Sequence, residues 1–494
     1  MSRTTLTSTA KLPGESLGDF ERHGDVGAPA VAGAASYDPA RQEYTLTAAG
    51  GSGPQGLDRF HFAWNLAAGD FILRARVRSV SAGPVRLGWI ARTGLETDAA
   101  YVAGMVGEQG VASLQVRRAR GAAAEQTKLP VTNADVLQLE RRGNQFRFSA
   151  AQSGEPFVAG EWMNCELEGD LLAGLFVGSS AEGARATAVF SDVRWVRPAK
   201  PDFRPYRDFI GSVLEILDVH TGRLEKIYES SEPFEAPNWT TDGQALIYNV
   251  SGRAEGWGRL VRFDLATGAR VTLDTGLAIN NNNDHVLSMD GAMLAISDQS
   301  PSHGGKSRVF TLPATGGTPT AITPRTPSYL HGWSPDQRWL VFTGVRDNKY
   351  DIFKIPAAGG EEIRLTDAPG VNDGPEFTPA GEYIYFNSSR TGRMQIWRMR
   401  PDGSGQEQIT NDGLNDWFPH LSPDGQWIAF VSFGLDVAAG DHPYYRHVYV
   451  RLMPAAGGKP RVLAYVYGGQ GTMNVPSWSP DSRRIAFVSN TGLV

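Results

Sequence analysis

One short phrase, repeated six times, constrains this 494-residue chain more than any other feature. It runs aromatic or leucine, Ser or Thr, a proline-like position, Asp, then Gly or a small variant, followed by a β-rich segment. The copies start at Trp239, Leu287, Trp333, Phe377, Leu421 and Trp478. Their fourth residues, at 242, 290, 336, 380, 424 and 481, stand 48, 46, 44, 44 and 57 residues apart. A period in the forties with strands between turns predicts propeller blades. The phrase itself is a tight turn: Pro presets φ, Asp bonds back to the main chain, and Gly takes positive φ. A second strand follows each turn, as in Ala245 to Val250, and third and fourth strands complete each blade. The last copy ends two strands short. Ser212 to Asp218 and Arg223 to Tyr228, joined at His220-Thr221-Gly222, supply the missing pair. Closing the ring with strands from both ends hides sheet edges and gives six blades.

These Trp-Ser-Pro-Asp-Gly-type starts resemble those of TolB-like six-bladed β-propellers, over roughly residues 207–494. The resemblance implies a fold, not a function, because such propellers serve as platforms, enzyme domains and enzymes. The first 200 residues lack the period. Short alternating segments such as Phe71 to Val77, Val85 to Ile90 and Gln145 to Ser149 predict a β-sandwich. Gly69 to Val77 with Gly88 to Arg92 looks like the concanavalin-like jelly rolls attached to carbohydrate-active proteins. The expected fold is therefore all-β: an N-terminal concanavalin-like jelly-roll sandwich and a C-terminal six-bladed propeller. The expected divisions are a flexible N-terminus (1–16), the sandwich (17–197), a Pro-rich linker (198–206) and the propeller (207–494).

Composition narrows the partners. The net charge is −6, with 47 basic and 53 acidic residues, which argues against nucleic acid or an anionic membrane surface. One cysteine, Cys165, excludes a disulfide framework and a Cys₄ or Cys₂His₂ zinc site; it reads as an inert small side chain. The longest near-apolar run, Leu171 to Gly178, is too short to cross a bilayer. The N-terminus shows no signal-peptide core, so the chain as written is expected in the cytoplasm, or in the periplasm if an export signal was trimmed. A P-loop, a G-x-S-x-G elbow, H-E-x-x-H and a Rossmann fingerprint are all missing.

Chemistry is expected where the first strand of each blade lines the axial channel. Two residues before the aromatic position stand Pro237, His285, His331, Pro375, Pro419 and Pro476. One residue later the column includes Glu376 and His420. His285, His331 and His420 could hold Mn, Zn or Ca with Glu376 or Gln470, or could equally be channel histidines bonded to turn backbones. The pattern is similar to that of oligogalacturonate lyases, TolB-like propellers. That resemblance implies one divalent ion on His285, His331, His420 and Gln470, and β-elimination beside a sugar carboxylate. Arg325, Arg346 and Arg390 would then neutralise a uronate. Carboxylates offer the other route: Asp284, Glu376, Asp373 and Asp416 could provide an acid/base pair for glycoside hydrolysis, and Asp284, Glu376 and His420 are the expected catalytic residues. Asn283, Tyr329, Asp373, Trp417 and Asn474 are the candidate sugar contacts, although Trp417 also reads as blade packing. In the sandwich, Trp64, Trp89, Trp162 and Trp195 are stacking candidates, the first two better read as core, with His61 and Asp58 as weak site candidates. The expected function is a carbohydrate-directed lyase or glycosidase acting on an oligosaccharide or other small polar ligand. The alternative is a non-catalytic TolB-like platform with a protein or glycan partner on the propeller face.

Overall fold

The computed structural model describes residues 17–29, 31–49, 58–107, 110–179, 181, 184–204, 207–250 and 258–492. The expected flexible terminus, 1–16, lies outside the described residues, as do positions 205 and 206 of the expected linker. The chain divides into two compact units, 1–152 with 157–195 and 153–156 with 196–494.

In the first unit, a seven-stranded and an eight-stranded antiparallel sheet share one hydrophobic core. Strand alternation builds it. Leu73 and Phe148 come from one sheet, Trp89 and Leu175 from the other, and all four are fully buried. The seven-stranded sheet is apolar on its second face too, where Phe62, Trp64 and Ile90 cluster. Trp64 and Trp89 are thus core residues, and Cys165 is buried with its thiol pushed up by burial.

The second unit is a six-bladed propeller. Five four-stranded sheets begin with innermost strands Phe234–Trp239, Asn281–Leu287, Ser328–Trp333, Asn372–Phe377 and Asn415–Leu421, which we number blades 1 to 5. Blade 6 is closed by both ends of the unit: Gly211–Asp218 pairs antiparallel with Arg484–Thr491 and with Leu224–Ser230. Its innermost position is marked by a single bridge, Trp478 to Ile485.

Each turn phrase does what its residues dictate. Ser334 donates its hydroxyl to Asp336 at 2.5 Å and accepts the Trp339 N–H at 2.9 Å, and Ser422 repeats this with Asp424 and Trp427. The fifth position is left-handed in all six copies, φ 58° to 75°, including Gln337 and Ser482 where glycine is replaced. The aromatic position wedges between blades: Trp333 Nε1–H donates to the Val286 carbonyl and Trp478 Nε1–H to the His420 carbonyl, both at 3.0 Å.

The innermost strands share a second feature. Each carries a bulge just before its phrase, between Glu235 and Asn238, Asn281 and His285, Leu330 and Gly332, Asp373 and Glu376, and Trp417 and His420. A bulge inserts unpaired residues and re-aims side chains. In blade 2 it is longer by one residue: Asn281 to His285 advances four positions while its partner strand advances two, against three to two in blades 1, 4 and 5.

Candidate functional site

The upper halves of these strands and the loops beside them enclose a cavity of about 650 Å³. Eight sequence-predicted residues line it: Asn283, Asp284, Tyr329, His331, Asp373, Trp417, Gln470 and Asn474. Its centre is polar and buried. His331 Nε2 stands 3.2 Å from Asp373 Oδ1. The same oxygen accepts from Thr343 Oγ1 at 2.6 Å and from the Gly374 N–H at 2.8 Å. Asp284 is clamped by Asn282, whose Nδ2 donates to Oδ2 and whose Oδ1 accepts the Asp284 N–H, both at 3.0 Å.

Burial and charge push these groups apart. Burial raises Asp284 to about 6, a shift that His331 opposes and Asp373 reinforces. Asp373 is also penalised by burial, but its hydrogen bond to His331 and that ring's charge hold it below its ordinary value. His331 is pulled down by burial and lifted more by Asp373, with Asp284 and Glu376 adding, so it lies above its ordinary value. Two carboxylates separated in this way can give and take a proton near neutral pH.

The cavity also carries unspent hydrogen-bonding capacity. Asn283 Nδ2, Trp417 Nε1, His442 Nδ1, Gln470 Oε1 and Asn474 Oδ1 are buried and find no partner among the described residues. Buried polar atoms of this kind are rare unless water or a ligand completes them.

Three expected residues stand elsewhere. The His285 ring is fully buried and its Nε2–H donates to the Ile247 carbonyl of blade 1 at 3.1 Å, with burial lowering it to about 4. The place of the bulge is the reason: His285 and His331 share a column in the sequence, but His331 is the unpaired residue of its bulge, whereas His285 lies past the bulge of blade 2 and pairs regularly with Ile296. Glu376 and His420 form their own buried pair, Oε2 to Nδ1 at 2.6 Å, with the Leu421 N–H on Oε1 at 3.0 Å. Neither lines the cavity. The expected ligand set of His285, His331, His420 and Gln470 is therefore dispersed. No group of three or more His, Cys, Asp or Glu among the described residues could hold a metal ion. These residues do not fit a resident Mn, Zn or Ca ion.

The expected uronate cations are displaced as well. Arg346 is buried against Glu362 at 2.8 Å, Arg390 bonds Asn372 and Gln406, and Arg325 is exposed. No Lys or Arg stands among the described lining residues.

The sequence reading missed His442 and Tyr444, which line the cavity from the 434–445 connection of blade 5. The His442 ring meets Trp417 edge-on at 4.4 Å, and Phe418 lies between His442 (5.3 Å) and His331 (6.0 Å). The signal was present in the last repeat step, 57 residues instead of 44. Glu235, Gln299 and Thr343 were missed too; each is an ordinary strand or loop residue with no distinguishing spacing.

The lower ends of the strands make a different hollow of about 270 Å³. It is ringed by the aromatic position of every copy: Trp239, Leu287, Trp333, Phe377, Leu421 and Trp478. Phrase prolines, among them Pro335 and Pro423, form its rim, and Glu376 reaches it.

Three comparisons bear on this molecule. The TolB beta propeller domain family matches residues 327–438. Uncharacterized protein Atu1656 of Agrobacterium fabrum is 47% identical over 278 residues, 56% of this chain and 92% of that protein. A solved structure from Agrobacterium tumefaciens, described under the TolB name, shares 46% identity at a TM-score of 0.54, covering 58% of this chain and 100% of the other. An oligogalacturonate lyase in complex with manganese aligns at 14% identity and a TM-score of 0.35, over 53% of this chain and 69% of that one, a likeness too distant to bear on chemistry. Through residues that span almost the whole of its Agrobacterium fabrum relative, the chain belongs to the family of that protein, a family of TolB-like six-bladed β-propellers.

Proposed function

We propose that the propeller binds a non-acidic oligosaccharide in the 650 Å³ cavity and cleaves it by acid/base hydrolysis. The observation that carries this reading is the pair Asp284 and Asp373, displaced in opposite directions within one polar, aromatic-walled cavity. Asp284, protonated up to about pH 6, is the acid for the leaving oxygen. Asp373, held ionised by His331, is the opposing carboxylate. Asn283, Asn474 and Tyr329 meet sugar hydroxyls, and Trp417 with Phe418 supplies an apolar face. β-Elimination from a uronate is the weaker of the two enzyme readings, because the substrate carboxylate would face Asp284, Asp373 and Asp441 with no Lys or Arg among the described lining residues. For the first unit we propose the concanavalin-like jelly roll, supported by its two antiparallel sheets around one core.

The test is release of reducing ends from a panel of neutral, amino and uronic oligosaccharides, run beside Asp284→Asn. Turnover of a non-acidic substrate that the variant loses supports the proposal. Turnover confined to uronates, or unchanged in the variant, overturns it. The second reading, a non-catalytic platform for a protein or glycan partner, draws on the apolar hollow at the other end of the channel. It gains if sugars bind without being cleaved.

A further inference from the structure

The carboxamides that line the upper cavity fall into two sets. One set is spent on the fold. Asn249 Nδ2 donates to the Asn281 carbonyl and Asn281 Nδ2 to the Ala278 carbonyl, both at 2.8 Å. Asn280 Oδ1 accepts the Gly258 N–H at 3.0 Å, and Asn282 clamps Asp284. The other set keeps its capacity. Asn283 Nδ2, Gln470 Oε1 and Asn474 Oδ1 are buried without a partner among the described residues. Asn283 and Asn474 are 6% and 2% exposed, Gln470 is half-buried, and all three line the cavity. Their backbones are held in place. Asn283 falls inside the bulge of blade 2. The loop carrying Gln470 and Asn474 is fastened by the Ala236 N–H on the Gly471 carbonyl and the Thr472 N–H on the Gly469 carbonyl, both at 3.0 Å.

Each carboxamide offers both an N–H donor and a C=O acceptor, whichever way it is turned. Unspent amides on blade 2 and on the 468–474 loop call for an uncharged ligand group that carries a donor and an acceptor of its own. A sugar hydroxyl does both through one oxygen and reaches one wall. An acetamido group is trans, so its C=O and N–H point opposite ways and pair with two walls at once. Asn283 supplies the donor for the C=O, and Gln470 or Asn474 the acceptor for the N–H. The acetamido methyl suits the apolar face of Trp417 and Phe418. Charge agrees with an uncharged group. No Lys or Arg stands among the described lining residues to hold an acid, and Asp373 is already engaged by His331, Thr343 and the Gly374 N–H.

We infer that the ligand carries an acetamido group seated between Asn283 and the Gln470–Asn474 loop, which makes N-acetylated amino sugars the substrate class. This rests on the carbohydrate reading of the cavity and narrows it.

The experiment is calorimetric titration of the full chain with N-acetylglucosamine, glucosamine and glucose, and with the β-1,4-linked disaccharide of each. The three sugars differ only at one carbon, so the wild-type comparison stands without any variant. Gln470→Leu and Asn283→Ala then remove one unspent amide each, from different walls. N-acetylglucosamine should bind roughly tenfold more tightly than glucose or glucosamine. Each variant should cut that ratio, and a fall in either supports the seat. Glucose or glucosamine binding as tightly as the acetylated sugar, or a ratio unchanged in both variants, overturns the acetamido seat and leaves the carbohydrate reading standing. Binding of none of these sugars overturns both.

Discussion

The two ends of the propeller channel are built by the same strands and could hardly differ more. In blade 2, Asn281 to Asp284 line the polar cavity while Val286 to Met289 line the apolar hollow. At the lower end every blade contributes the same phrase position, so the lining repeats: Trp, Leu, Trp, Phe, Leu, Trp. At the upper end no two blades contribute alike: an amide run from blade 2, Tyr329 and His331 from blade 3, Asp373 from blade 4, Trp417 from blade 5. The repeat builds the fold, and departures from it build the site. Turn and wedge residues must be similar because each blade solves the same packing problem. A ligand has no sixfold symmetry, so its contacts must differ.

This contrast breaks first at Asp284. Asparagine there should lower turnover about 10²- to 10⁴-fold with the fold intact, measured on whichever oligosaccharide the wild type cleaves. Equal turnover would remove the upper end from the chemistry. At the lower end, Trp333→Ala should cost about 3–5 kcal/mol of unfolding free energy in urea melts, because the ring is 8% exposed and wedged between blades. Its turnover per folded molecule should stay near wild type. A selective loss of turnover would mean the two ends are not separable.

A smaller effect sharpens the upper end through pH. Burial lifts Asp284 from 3.8 to about 6 in the folded protein. A carboxyl raised by folding adds stability that is fully present below its unfolded value and is lost as pH rises through its folded one. Asp284→Asn should therefore gain on wild type by about 2–3 kcal/mol above that range and by little at pH about 4, in melts of both proteins across pH. A constant gap would place the carboxyl in a wetter setting. Smallest of all, Asp424→Ala should cost about 1 kcal/mol, since it loses only the bonds from Ser422 and the Gln426 N–H in one exposed turn.

The turns and the ring closure were readable because their chemistry is local. Ser, Pro, Asp and Gly dictate a turn within five residues, and a truncated last blade demands its complement at the front. Much of the cavity was readable for a related reason: residues just upstream of each turn lie on the innermost strand, so Asp284, His331 and Asp373 fall together. The errors came where the alignment ignored the place of each bulge. His285 sits in the same column as His331, yet His331 is the unpaired residue of its bulge while His285 pairs regularly past the bulge of blade 2, and its ring turns into the wall. Glu376 and His420 come after the bulge in their own blades, and they meet each other between blades 4 and 5. His442 arrives from a connection between outer strands, where no periodicity pointed inward.

By itself the sequence determined the period, the turns, the number of blades and the strands that line the axis. Each of these follows from near neighbours in the chain, through backbone preferences and strand alternation. Only the tertiary structure decided which lining residues share a cavity, which histidine faces it, and which carboxyl is raised and which lowered. Those properties depend on where the bulges fall, on distances between blades and on burial, and these are set by residues 30 to 209 positions apart in the chain.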